Sequence, residues 1–569
     1  MAVNSPQGER SGHQPDRLPT DVNSKAPMGA AGKYRTQRFV QDLWEAFMVT
    51  VAASLGSRPR FNLAEPAHQN TWKALQGLHR WLETVVAQSG RANACQRLKD
   101  FAASCRLAAI NGTPVPRSRF HRALGGPLGR LRRALESAHR SPEQRDMVAQ
   151  MGYIGRALPK GRRDKEGLAA LEAHRDALGS RADPLPDGRR EQLAEFAEKW
   201  ATEHLKPFVP HMEFDPSAGA CLESSRKEGG LAGYLHKKMR AAVGDAPRYV
   251  KKLTTYPAAE DDMAARAHAA LARELTRDLP TEIPRAQAVV VCERGAKVRV
   301  VTKSPGSLVA LCHQARHWLA EGLRDDPSIK MVLAGDHREA VEAMMRNRKR
   351  ETALYGARMT VVSSDLKSAT DLIGRETYLA LWEGILRSPA GKTLPKYIRR
   401  AVDLALGEQV IEYPDLKKFV RTHRGALMGL PTTWAFLCLS NLAWWQIGHI
   451  KAGVKHCPRV TICGDDLVGV TTEKATLEYE TAAKESGAVF SSAVKHIKSQ
   501  NGGVFTEEVF FTKATPTGQF CFDRWSEAFP VRGILGTMRS DRTGTEEPFW
   551  VSLGPALERM MEHRGQKWR

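Results

Sequence analysis

Asp465 and Asp466 stand side by side within Val460-Thr-Ile-Cys-Gly-Asp-Asp-Leu-Val-Gly-Val470, between a β-branched run and a second apolar run. Two apolar strands joined by a Gly/Asp turn predict a β-hairpin whose tip lifts both acids out of a buried sheet. Adjacent anions repel unless a cation lies between them, and oxygen-only donors suit Mg²⁺ or Mn²⁺. A solvated Asp-Asp turn is the plain alternative, because so short a motif recurs by chance. Further chemistry lies elsewhere in the chain. Asp365 ends the apolar run Met359-Thr-Val-Val-Ser-Ser364, 100 positions before Asp465, and Asp371 follows it by six. In Lys297-Val-Arg-Val-Val-Thr-Lys303, strand alternation puts Lys297, Arg299 and Lys303 on one face with Val301. Three cations on one face call for a polyanion such as a triphosphate; the competing reading is a basic edge strand that resists aggregation.

The elements that would position these groups follow from periodicity. Phe39, Leu43, Phe47 and Val51 recur at helical spacing, and a basic, helical region continues to about residue 205. Within it, the 160–163 cluster reads as a solvated face or as a track for phosphates. Residues 189–205 read as a surface helix. The polar loop from Cys221 to Gly230, with Ser225 and Arg226, could grip a phosphodiester strand or be an ordinary turn. Gly429 lies in a loop that leads through Thr432 and Thr433, hydroxyls placed to cap, into a long apolar helix from 434 to 450. That helix is interrupted by Asn441, Gln446 and His449 and so reads as buried rather than as a membrane span. A helix follows at 473–486, then a turn bearing Lys495 and Lys498 and a strand at 503–507. His313 and His317 have the spacing of two zinc ligands, but no Glu follows His313 and a third ligand is missing. Gly391-Lys392-Thr393 lacks the first glycine and the leading strand of a phosphate-binding loop.

The totals set the class. With 569 residues, 42% hydrophobic and 26% charged, the chain is globular and long enough for several subdomains. Lys and Arg number 85 against 63 acids, a formal charge of +22 that favours polyanionic partners. Nine scattered cysteines without a Cys-x-x-Cys pair fit reduced thiols better than a disulfide scaffold. Residues 1–33 are polar, lack the apolar core of a secretory signal, and read as a disordered arm.

In order, these features resemble the palm motifs A to E of viral RNA-directed RNA polymerases. The match is close to one branch, that of leviviruses, narnaviruses, mitoviruses and ourmia-like viruses, with the 425–434 segment similar to that of the ourmia-like viruses (botourmiaviruses). The resemblance rests on Ser364-Asp-Leu-Lys-Ser-Ala-Thr-Asp371, Gly425-Ala-Leu-Met-Gly-Leu-Pro-Thr-Thr-Trp434, the Gly-Asp-Asp hairpin and Ser492-Ala-Val-Lys-His with Gly-Gly-Val-Phe-Thr-Glu507. Lys297-Val-Arg-Val-Val-Thr resembles motif F, and Ser224-Ser-Arg-Lys-Glu-Gly-Gly230 an upstream segment. The resemblance covers about 220 to 535. It implies an α/β fold with an α+β palm: a right hand of fingers (206–358), palm (359–515) and small thumb (516–569). A mostly helical N-terminal extension (34–205) and the arm (1–33) precede it. It implies two Mg²⁺ ions, Mn²⁺ substituting, on Asp365, Asp465 and Asp466, with Asp465 the indispensable ligand. Lys297, Arg299 and Lys303 would neutralise the incoming ribonucleoside triphosphate. Lys495 would protonate pyrophosphate, with Lys498 its competitor. Asp371 and Thr433 would read the ribose, as would Asn441 unless it is merely a polar residue satisfied inside helix packing. Ser225, Arg226 and Gly429 would touch RNA. The pattern departs from better-known polymerases at Leu437, where many carry Asn.

The partners implied are template and product RNA from a positive-strand genome, in the host cytoplasm rather than the mitochondrion. A reverse transcriptase is the nearest catalytic alternative, although Gly464 stands where an aromatic residue normally precedes the acid pair. A non-catalytic RNA-packaging protein would explain the charge and leave the strand-end acids without a purpose.

Overall fold

The computed structural model describes residues 30–56, 60–210, 217–243, 257–346, 359–454, 460–492, 495–514 and 520–529. Most of the expected arm and of the expected thumb segment lies outside them. The helical spacing of Phe39, Leu43, Phe47 and Val51 becomes the buried face of α1 (Ala30–Leu55). Next come α2 (Pro66–Asn111) and α3 (Pro142–Met151). The start of α3 is fixed by Ser141 and Gln144, each accepting a hydrogen bond from the other's backbone N–H. α4 (Lys165–Gly179) and α5 (Arg189–His204) complete this part. Two apolar cores divide the chain near residue 160. α1 to α3 enclose Leu43, Phe47, Leu98 and Phe120 in one. Leu171 and Leu178 of α4 and Leu193 and Trp200 of α5 belong to the other, with the bulk of the protein.

β1 (Arg285–Glu293) and β2 (Lys297–Lys303) form an antiparallel hairpin ahead of α6 (Gly306–Asp325). The chain then runs through β3 (Met359–Ser364), α7 (Arg375–Arg387), β4 (Val410–Tyr413), β5 (Lys418–Arg421) and α8 (Thr433–Lys451). β6 (Val460–Cys463), β7 (Asp466–Thr472), α9 (Glu473–Glu485) and β8 (Ile497–Ser499) follow, and β9 (Gly502–Phe505), β10 (Glu508–Ala514) and β11 (Phe520–Ser526) close the described chain. Three sheets result, ordered β2-β1-β4-β5, β6-β7-β3-β8 and β11-β10-β9. This is a mixed α/β architecture.

The second sheet is antiparallel throughout and buried on both faces, which is why its strands read as continuous apolar runs. Val362, Leu467 and Ile462 join the core that includes α8, whereas Val361, Val468 and Val470 meet Phe505 and Phe510 of the third sheet. Each such side chain stabilises the sheet by roughly 1.5–3 kcal/mol. Ser363 links the two sheets: its hydroxyl accepts from the Val504 N–H at 3.1 Å and donates to the Val504 carbonyl. Among the described residues no helix is long and apolar enough to cross a membrane.

The N-terminal helices are latched to the far end of the chain. The buried Tyr153 hydroxyl donates to the Ser526 carbonyl (2.6 Å) and accepts from the Val509 N–H (2.7 Å). Gln150 makes a parallel pair of bonds with the Glu527 carbonyl and the Phe529 N–H, and Ile497, Val509, Phe511 and Ala528 complete the N-terminal core. Tyr153→Phe leaves a buried N–H and a buried carbonyl unsatisfied with no cavity. It should cost about 1–3 kcal/mol, read as a lower denaturant midpoint at unchanged slope; an unchanged midpoint would remove the latch from the account.

Candidate active site

Strand register brings the acids together. Ser364 pairs with Leu467 across β3 and β7, so one step further Asp365 comes level with Asp466. Cys463 pairs with Asp466 across β6 and β7, leaving Gly464 and Asp465 as a two-residue hairpin tip. On the other side of β3, Ser363 pairs with Ile497. Beyond that pair the register breaks, because the Asp365 carbonyl accepts from the Ser491 N–H (2.9 Å) and the Lys495 N–H turns back onto the Ser492 carbonyl (2.8 Å). This turn before β8 carries Lys495, whose Nζ lies 3.0 Å from Asp365 Oδ2. Asp365, Asp465, Asp466 and Lys495 line one cavity of about 560 Å³, and Lys297 and Arg299 of β2 line it too. Lys498, Lys495's competitor, points away and pairs with Glu480.

Charge in this cavity is unbalanced. Burial, then Asp365, push the Asp465 carboxyl above its ordinary range, against the pull of Arg299 and Lys495. Asp466 is driven further up by burial and by the charges of Asp465, Asp365 and Glu507. Glu507 goes the other way. Burial opposes its ionisation, but the Lys297 ammonium, followed by Arg156 and Arg106, holds its carboxyl down at about 2. Among the described residues no three His, Cys, Asp or Glu side chains converge closely enough to hold a metal ion.

α8 grips the hairpin tip. Gly464 has φ +65, a left-handed conformation that suits glycine. Its N–H donates to Cys438 Sγ (3.2 Å), and its carbonyl accepts from Asn441 Nδ2 (3.0 Å). Asn441 is fully buried, and its Oδ1 accepts from Tyr479 Oη at 3.0 Å. A phenol has one proton, so the 3.2 Å contact between Tyr479 Oη and Ser364 Oγ must be donated by the serine. A buried relay thus runs from the end of β3 to the acid turn. Both ends of the Asn441 amide are used within it, so the satisfied-polar alternative describes its surroundings.

Other expected residues lie off the cavity wall. Lys303 reaches Gln287 Oε1 at 3.4 Å. Thr433 is the first helical residue, one step past the cap, so neither threonine caps α8 and the Thr433 hydroxyl instead donates to the Leu427 carbonyl at 2.8 Å. Gly429 passes β2 so closely that an added Cβ would sit 2.0 Å from the Thr302 carbonyl oxygen. Ser225 and Arg226 are exposed, in a one-turn element closed by the Ser225 N–H on Glu228. Arg162 and Arg163 of the 160–163 cluster are paired with Asp164 and Asp415.

Asp371 is held where the 370–373 backbone meets the loop entering α8, through Ala426 N–H to Thr370 carbonyl (2.7 Å) and Gly425 N–H to Ile373 carbonyl (2.9 Å). Thr370 donates to its carboxylate at 3.1 Å. His174 of α4 lies 3.9 Å away; burial holds that imidazole down at about 4, so it supplies no charge near neutral pH. Burial pushes Asp371 up to about 6. Other residues lining the cavity escape sequence reasoning: Lys99 and Arg106 of α2, Arg156, and Glu507 as a charged wall. Position 507 was visible only as part of a motif. The α2 residues carried a signal in their spacing, a polar stripe on one face of a long helix.

Because the folded state raises the Asp371 pKa, it binds protons more readily than the unfolded chain between about pH 4 and 6, and stability falls as pH rises through that window. Asp371→Asn should therefore stabilise the fold at pH 8 by up to about 3 kcal/mol, with the gain vanishing toward pH 4; a pH-independent gain would exclude this origin. Asn441→Ala should lower stability by about 1–3 kcal/mol and speed hydrogen exchange in peptides spanning 460–468. Unchanged exchange there would remove Asn441 from the support of the turn.

No family model matches the chain. An RNA-directed RNA polymerase of Saccharomyces 20S RNA narnavirus is 30% identical to it over 530 residues, 90% of this chain and 59% of that protein. The RNA-directed RNA polymerase of Saccharomyces 23S RNA narnavirus is 30% identical over 508 residues, 85% of this chain and 50% of its own length. The chain therefore spans about half to three-fifths of the length of these two relatives. By sequence, over nearly all of its own length, the chain is similar to these two narnavirus RNA-directed RNA polymerases.

Proposed function

We propose that the chain is a viral RNA-directed RNA polymerase that copies a positive-strand RNA genome by two-metal nucleotidyl transfer in the host cytoplasm. The observation that carries this reading is one cavity in which three strand-end carboxylates face the cations of β2 and Lys495. The similarity to two narnavirus polymerases supports it. In this reading the β6-β7-β3-β8 sheet is the palm and the β1–β2 hairpin belongs to the fingers.

The site's donor set fits hard divalent cations. Its acids offer only oxygen, and two of them are held protonation-prone by burial and by one another, a strain that added positive charge relieves. Asp365, Asp465 and Asp466 would hold two Mg²⁺, with Mn²⁺ substituting. Bound there, the ions supply a lowered pKa at the attacking 3′-OH and charge stabilisation for the leaving pyrophosphate. Lys297 and Arg299 neutralise the triphosphate as it enters, and Lys303 acts further along the same strand face. Lys495 holds Asp365 at rest and, released from it, stands within the cavity to protonate the departing pyrophosphate. Asp371, poised near neutrality, and Thr433 serve the ribose 2′-OH. Ser225, Arg226 and the Gly429 loop offer groups to the template backbone. Asn441 serves by fixing the acid turn.

Purified protein given an RNA template, Mg²⁺ and ribonucleotides should extend RNA, and deoxyribonucleotides should be used far less well. Asp465→Ala should reduce the rate by at least about 10³-fold, the scale of losing a principal electrostatic group, whereas Asp466→Ala should retain activity that depends on the choice of Mg²⁺ or Mn²⁺. Equal polymerisation by wild type and Asp465→Ala would sink the mechanism, and a preference for deoxyribonucleotides would transfer it to a reverse transcriptase.

A further inference from the structure

Among the cations lining the cavity, most are neutralised within the protein. Lys297 pairs with Glu507, Arg299 with Glu293 at 3.0 Å, Arg156 with Glu508 at 3.0 Å, and Lys495 with Asp365 at 3.0 Å. The two that form no ion pair among the described residues both come from α2. Lys99 Nζ donates only to the Ala296 carbonyl, at 3.1 Å, at the tip of the β1–β2 hairpin. Arg106 makes no hydrogen bond or ion pair at all among the described residues, and its Nε is shut off from solvent without a partner. A guanidinium cannot shed its proton to escape this cost, so one that lacks a direct ion pair in a half-closed cavity remains costly until an anion makes contact.

The placement is built in. Gln96, Lys99, Ala103 and Arg106 are spaced by three, four and three residues and form one face of α2 toward the cavity. The Arg106 stem runs so close to Gly152 that a Cβ there would lie 2.3 Å from Arg106 Cγ. The Glu507 and Asp365 charges act on Arg106, so it shares the field of the cavity's acids.

We propose that Arg106, assisted by Lys99, is a polyphosphate ligand of this cavity, contacting the triphosphate of the entering nucleotide or the pyrophosphate that leaves. The assignment to a nucleotide rests on the polymerase reading; the anion site itself does not. It gives the N-terminal helices a direct share in substrate binding. A fork of donors suits phosphate oxygens, and the site lies beside the acids and the β2 cations, where a phosphate chain would have to pass.

Inorganic tripolyphosphate binding to the full chain, followed by calorimetry, tests this. Arg106→Met should weaken binding roughly ten- to hundredfold, the range for hydrogen bonds to a charged group. Arg106→Gln should do the same while keeping more of the stem, and Arg106→Lys should recover part of the affinity. In RNA extension, Arg106→Met should raise the nucleotide KM by a similar factor with a much smaller change in kcat, and leave template RNA affinity unchanged. Tripolyphosphate affinity indifferent to both Met and Gln variants, with unfolding midpoints like wild type, would overturn the proposal, as would a loss confined to RNA affinity. Absence of polymerisation by wild type alongside Arg106-dependent tripolyphosphate binding would overturn the polymerase reading and leave the anion site standing.

Discussion

Mutual repulsion among three carboxylates at the rim of one sheet is the constraint around which this protein is arranged. Asp365 and Asp466 come level across β3 and β7, with Asp465 at the adjoining turn, and the two hairpin acids are pushed toward protonation by burial first and then by the neighbouring carboxylate charges. Such a cluster survives folding only if the surrounding structure bears the cost. Here the sheet is buried on both faces, the turn is bonded to α8 through Cys438 and Asn441, and Lys495 closes on Asp365 from the turn before β8. Rigidity and charge compensation are thus two answers to one electrostatic problem.

The central elements were legible because their signals are local. A β-branched run, a Gly-Asp-Asp turn and a second apolar run are enough to place β6 and β7, and alternation along Lys297–Lys303 puts Val300 and Thr302 inside with the cations on the other face. Which polar group meets which could not be read that way. Asn441 is a polar residue in an apolar helix whether it touches a ligand or a backbone carbonyl 23 positions away, and only tertiary packing distinguishes the two. The same holds for Thr433, whose hydroxyl bonds back into the loop instead of capping the helix. Likewise the helical stretch from 34 to 205 reads as one extension from periodicity, although its apolar side chains fall into two separate cores.

The N-terminal helices do more than cover a surface. Lys99 reaches the tip of the β1–β2 hairpin, and the backbone of that hairpin is bonded to residues 158–161 through Gly295, Ala296 and Gly161. Glu507 lies at a turn in which both it and Thr506 take positive φ, a geometry that disfavours a β-branched residue. Its ion pair with Lys297 and contact with Arg156 keep it there. Basic strand, acidic turn and N-terminal helices therefore form one continuous wall, and a change in any of them would be felt in the electrostatics of the acid cluster.

The Tyr153 latch also sets an order of assembly. Its partner at Val509 is 356 positions later in the chain. At a synthesis rate of about 5–20 residues per second, the N-terminal core would wait on the order of twenty to seventy seconds for the residues that close it. For most of that interval the acids at 465–466 and the turn at 507 do not yet exist opposite α2. The cavity cannot form piecemeal, so a chain still on the ribosome carries basic helices but lacks the site those helices help to enclose.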